Sequence, residues 1–214
     1  MIKICDWKII LLMIYYKTVK KVINIEVENI INTQEKEIIE VPSLTIHIAI
    51  AKEYYNKNKL KIDNYDDFIS GTIAPDIINK NKNISHYGIW DKHNAYIDFE
   101  KFLNDKKVNL LTSYWKGYFL HLIVDYYFYN YAFKEEHANA INSNDTLYND
   151  YYFLNYDLIK DYDLQIRDNV KKFMIPKKGK CKYLDYEKIK KFISNISNKK
   201  IENYIYNLQT KENY

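Results

Sequence analysis

The sequence predicts an all-α fold: a single-domain, multi-helix bundle. Three observations carry that reading. Only four glycines and three prolines punctuate 214 residues, so long segments rich in Ile, Leu, Tyr, Lys and Asn run without the regular turn signals of an all-β sandwich. A 47% hydrophobic and 16% aromatic composition supplies enough apolar surface for one substantial core. The apolar stretch Gly117-Tyr-Phe-Leu-His121-Leu-Ile-Val-Asp125 sets an imidazole and a carboxylate four residues apart, on one face of a helix.

Taken in order, residues 1–41 read as an N-terminal extension of unknown role, and residues 42–214 as the helical domain. The run Ile9-Ile-Leu-Leu-Met-Ile14 is too short to span a bilayer and lacks a small-residue cleavage site after it. No integral membrane segment and a cytoplasmic location are therefore expected, with secretion through a degenerate signal as the alternative. Pro42-Ser43 reads as a helix start. Leu44 to Lys59 is too densely apolar for a single stripe, which predicts a largely buried helix with His47 in its first turns. At Gly71-Thr-Ile-Ala-Pro75-Asp76 the proline predicts an interruption, with Ala74 extended and Asp76 projecting from a turn. The polar stretch Asn79 to Ile84 predicts a loop that ends in Ser85-His86-Tyr87-Gly88. Helices are expected over Ile97 to Asn104 and Leu110 to Tyr131, a polar loop over 134–146, and further helices over Tyr148 to Tyr162 and Tyr186 to Leu208. A basic loop containing Pro176 and Gly179 separates the last two.

The net charge of +4 comes from 32 basic and 28 acidic side chains that are interspersed, which argues against a dedicated nucleic-acid binder. Cys5 and Cys181 lie far apart, so neither a thiolate zinc knuckle nor a disulfide framework is indicated. A metal site here is built from nitrogen and oxygen.

The candidate ligands are His47, Asp76, His86, His121 and Asp125. Imidazole and carboxylate together suit a borderline or hard divalent cation such as zinc. Taken singly, His121 would be a core histidine bonded to a carbonyl, Asp76 a helix cap and His86 a loop residue; the pairing of His121 with Asp125 inside an apolar helix outweighs those readings. Asp125 is the natural bridge between two ions, and Asp76 is a candidate catalytic residue, as ligand or as the base for an attacking water. His93 and His137 lie among charged residues and read as surface histidines.

The ordered set Ile46-His47-Ile-Ala-Ile-Ala51, Phe68-Ile-Ser-Gly71-Thr-Ile-Ala-Pro75-Asp76, Ser85-His86-Tyr87 and Gly117 to Asp125 resembles the bacterial zinc-dependent phospholipase C family, in its short clostridial-type members. The resemblance covers roughly residues 42 to 133. It implies an all-helical fold, one zinc on Asp76, His86, His121 and Asp125, and another on His47 and the shared Asp125. The family's further His, His and Glu set finds only His137 here, with Glu135, Glu136 and Asp150 as substitutes, so one or two zinc ions are expected. The expected function is metal-dependent hydrolysis of a phosphate ester, phospholipid ahead of nucleotide or nucleic acid. The alternative is a non-catalytic helical binding protein that retains a structural metal site.

Overall fold

A computed structural model describes residues 44–78, 81–90, 94–106, 112–165 and 176–201. The extension read over residues 1–41, His93 and the end of the last expected helix lie outside these. Eight α-helices, a 3-10 turn (Lys59–Lys61), a π-helical turn (Phe128–Ala132) and one two-stranded hairpin make up the regular structure of the described residues, so the fold is mostly helical. None of these helices is long and apolar enough to cross a membrane.

Helix α1 (Leu44–Lys57) is buried without a break from Leu44 to Ala51, which is why its apolar residues show no stripe. Helix α2 (Tyr65–Ile78) and helix α5 (Ser113–Tyr127) form the most extensive helix pair. Their crossing explains two glycines. A Cβ at Gly71 would lie 1.8 Å from the Tyr114 carbonyl oxygen, and one at Gly117 would lie 2.0 Å from that of Phe68. Backbone therefore meets backbone at the crossing, which no side chain would allow. The approach falls five residues before Asp76 on one helix and four before His121 on the other.

The interruption expected at Pro75 is not there. Helix α2 continues through Pro75 and Asp76 to Ile78. Proline forfeits one backbone bond, to the carbonyl of Gly71, but burial of Gly71 to Pro75 against α5 holds the helical path. Asp76 accordingly projects from a last helical turn, not from a loop.

Three further differences share a cause in short-range patterning. Asn81 caps a one-turn helix α3 (Lys82–Ser85) by accepting from the Asn83 N–H, within a stretch expected to be loop. Strands β1 (Gly88–Trp90) and β2 (Ala95–Ile97) pair antiparallel, with Ile89 opposite Tyr96; three residues are too few to print an alternation. The polar stretch 134–142 is helix α6 (Lys134–Asn142), where only Ala140 is fully buried. Helices α4 (Phe99–Lys106), α7 (Tyr148–Asp161) and α8 (Tyr186–Ser197) fall where apolar spacing places them. Asp185 caps α8 through the Lys188 N–H at 2.7 Å, and Ile189, Phe192, Ile193 and Ile196 bury one face of it. That helix packs on α1, which also contacts α2 and α7.

Candidate metal centre

Four elements deliver five side chains to one place. Helix α1 carries His47, the last turn of α2 carries Asp76, His86 follows the end of α3, and α5 carries His121 and Asp125. His86 Nε2 lies 3.1 Å from His121 Nε2, 3.2 Å from Asp76 Oδ1 and 3.4 Å from Asp125 Oδ2. His121 Nε2 lies 3.2 Å from Asp125 Oδ2 and 3.9 Å from Asp76 Oδ1. Ligands about 2.0–2.1 Å from a tetrahedral zinc stand roughly 3.3 Å from each other. The three edges among His86, His121 and Asp125 lie within a few tenths of that length, as does His86 to Asp76; Asp76 stands farther from His121 and falls, within 4.8 Å, into a second group with His47 and His121.

The far nitrogens explain why the near ones converge. His121 Nδ1 is 2.7 Å from the Thr72 carbonyl oxygen, and His86 Nδ1 is 3.1 Å from that of Lys82, with Ser85 Oγ also at 3.0 Å. A carbonyl only accepts, so each Nδ1 carries the hydrogen and each Nε2 presents a lone pair. Two lone pairs and two carboxylate oxygens then face one another with no donor among them. A proton or a metal cation must fill that centre.

Asp125 reaches in two directions: Oδ2 toward His86 and His121, and Oδ1 toward His47 Nε2 at 3.1 Å. His47 stacks on His121 with ring centroids 3.8 Å apart. The carboxylate thus sits between two histidine sets, the disposition a bridging ligand requires. Two buried atoms at the cluster, His47 Nδ1 and Asp76 Oδ2, have no hydrogen-bond partner among the described residues. Such orphans fit a centre designed around a further polar occupant.

Charge follows from the same geometry. Burial works against a charge on His121, but the Asp125 and Asp76 carboxylates outweigh it and hold its pKa above the usual value. Burial, with the neighbouring His121, lowers that of His47. Burial would raise both acids, yet His121 and His86 bring Asp76 down to about 2, and His121 and His47 hold Asp125 well below the ordinary carboxylate range. The side chains are between 0% and 8% exposed, so little solvent screens them.

All five candidate ligands therefore meet. The substitutes considered for a further ion do not join them. Glu136 pairs with Lys188, and Glu135 is exposed. His137, read as a surface histidine, is half-buried with its ring 5.0 Å from that of Tyr129. Asp150 is buried, and its Oδ1 accepts from the Lys182 N–H at 2.8 Å while Oδ2 accepts from Tyr183 and Leu184 at 2.6 and 2.8 Å. Both its oxygens are committed to backbone, which corrects its candidacy as a metal ligand. The carbonyls of Thr72 and Lys82 were invisible in the sequence because every residue has one; Thr72 at least lies within the quoted Phe68 to Asp76, whereas Lys82 lies in the polar stretch read as a loop. No protein-family model matches the chain, and neither does any curated protein or solved structure.

Proposed function

We propose that this protein is a zinc-dependent hydrolase of phosphate esters, similar in chemistry to phospholipase C. The observation that carries the reading is the donor-free centre at which His86, His121 and Asp125 stand at the mutual spacings of ligands on one divalent cation, with Asp76 3.2 Å from His86. When bound there, zinc would supply Lewis acidity toward a phosphoryl oxygen and an acidified water. The chain's own part is to hold and orient. The Thr72 and Lys82 carbonyls fix the two imidazoles in the ligating tautomer. Asp125 would link His47 to that centre. Asp76, with a carboxyl held near 2 and Oδ2 unpartnered, is better suited to accept a hydrogen bond from water than to store its proton.

Phospholipid is favoured among the esters. Ile77 and Ile78 directly follow Asp76, Ile84 stands two residues before His86, and all three are exposed, which offers apolar surface beside the centre. The test is metal content of protein purified without chelator or nickel resin, followed by turnover of a chromogenic phosphodiester and a short-chain phospholipid. Protein free of zinc even after incubation with it would overturn the proposal.

A second reading is a binding protein with a structural metal, and the burial of all five side chains favours it, since structural sites are closed. Bound zinc with no turnover of phospholipid, nucleotide or nucleic acid would select that reading.

A further inference from the structure

A cleft of about 730 Å³ lies between the β1–β2 hairpin, the start of α4 and the end of α5, within the size range of small-ligand sites. None of the five cluster residues lines it. Its wall nonetheless shares backbone with the cluster, because Tyr87 follows His86 and Tyr126 follows Asp125. Tyr87 has φ 52°, a left-handed conformation that few bulky residues adopt. That kink sits between a buried histidine and a tyrosine that lines the cleft, and such conformations gather at ligand sites.

The lining is polar, aromatic and net basic. Lys101 and Lys134 are exposed and form no ion pair among the described residues. The one lining carboxylate, Asp98, is engaged in capping α4, its Oδ1 accepting from the Lys101 N–H at 2.8 Å. Tyr126 and Tyr131 bring their hydroxyls to 3.2 Å, and Tyr96 and Tyr131 present exposed ring faces. Tyr131 stands on a π-helical turn, Phe128–Ala132, that extends α5; such turns recur at functional sites. Asn130 on the same turn ties the hairpin down, bonding both the N–H and the carbonyl of Ala95 at 3.1 and 2.8 Å. The wall is thereby braced.

We infer that this cleft binds a phosphorylated, hydroxyl-rich ligand of net negative charge, such as a polyol phosphate. The two ammonium groups would hold the anion, and the tyrosine hydroxyls would bond those of the ligand against aromatic faces. Tyrosines alone would also suit a quaternary ammonium. Two lysines with no ion pair among the described residues stand in the same cleft and oppose that cation, so charge decides between the two. The ligand class rests on the phosphate-ester reading above, although the cleft stands apart from the metal cluster.

Calorimetric titration of the full-length protein with inositol 1-phosphate, and separately with phosphocholine, tests this directly. Inositol 1-phosphate is expected to bind at least tenfold more tightly. In the Lys101→Gln, Lys134→Gln double variant that preference should vanish, while zinc content and the circular dichroism spectrum stay unchanged. Equal affinities for the two ligands, or a preference that survives in the double variant, would overturn the inference. Repeating the titrations after chelation keeps the two proposals apart: a preference that persists without zinc is the cleft's own whatever becomes of the hydrolase reading, whereas a preference that disappears with the metal belongs to the metal cluster and overturns the cleft. Vesicles carrying a phosphoinositol headgroup distinguish a lipid source, which should bind as the soluble ligand does, from a free one, which the vesicles cannot mimic.

Discussion

Two buried acidic sites in this protein have opposite hydrogen-bond balances. At Asp150 three backbone N–H groups point at one carboxylate, and both oxygens are satisfied from within the chain. At Asp76 and Asp125 the carboxylates meet imidazole lone pairs, and a buried carboxylate oxygen is left over. A carboxylate supplied with donors is a staple: Asp150 pins the loop 182–184 to the first turn of α7. A carboxylate opposed by acceptors is unfinished without a cation. Acidity and burial, which the two sites share, therefore do not separate a staple from a candidate metal site; the hydrogen-bond balance does.

The sharpest break of this comparison is Asp125→Ala. Asp125 is within 3.1 to 3.4 Å of three histidine nitrogens, so its loss disconnects both halves of the cluster. On the zinc proposal, uptake should disappear, and with it the stabilisation that zinc would provide, about 4 kcal/mol at a thousand times its Kd. Zinc content and Tm with and without zinc report both; undiminished uptake would end the assignment. Gly117→Ala attacks the same centre without touching a ligand. A Cβ 2.0 Å from the Phe68 carbonyl oxygen must push α2 and α5 apart, which separates Asp76 from His121. We expect at least a tenfold loss of zinc affinity, on top of a packing cost of roughly 1–3 kcal/mol.

Asp150→Ala is the complementary change. It orphans three N–H groups at a cost of about 3 kcal/mol, which lowers Tm by roughly 10 °C for a chain of this size. Zinc content should stay as in the native protein, and the loss should be the same with and without chelator. A dependence on zinc would mean that the two sites are not separate.

The sequence made the cluster legible where spacing alone carries meaning. His121 and Asp125 share a helix face at any packing of that helix, and His47 lies in a segment so apolar that its burial followed. The role of Asp150 was not legible. Its partners lie 32 to 34 residues further on, and backbone N–H groups leave no mark in a side-chain sequence. Helix α2 running through Pro75 shows tertiary burial overriding a local signal. The hairpin and α6 were missed for the reverse reason: three-residue strands and a helix with one fully buried residue contain too little apolar pattern to read.

The smallest expected effect, and the one most specific to the donor-free centre, is on the pH dependence of the metal-free protein. Asp125 and Asp76 hold the pKa of His121 above the unfolded value of about 6.5. A raised histidine stabilises the folded state below its unfolded pKa, and that contribution is lost as pH rises through the folded value. Well above about pH 6.5 the lowered histidine and the depressed acids of the cluster are silent. His47, whose pKa is lowered, is neutral in both states there, and the depressed acids are ionised in both, their contribution being lost only as pH falls from about 4 toward the folded values. Chelated protein should therefore lose Tm from pH 7 upward. Zinc-loaded protein should not, because the cation replaces the proton on His121 and binds better as protons become scarce. Asp125→Ala should flatten the chelated curve, since it removes the first of the two carboxylates that sustain the shift, whereas Asp150→Ala should lower that curve without changing its slope. A chelated native protein whose Tm is flat or rises between pH 7 and 9 would mean that the proton is not held where the geometry puts it.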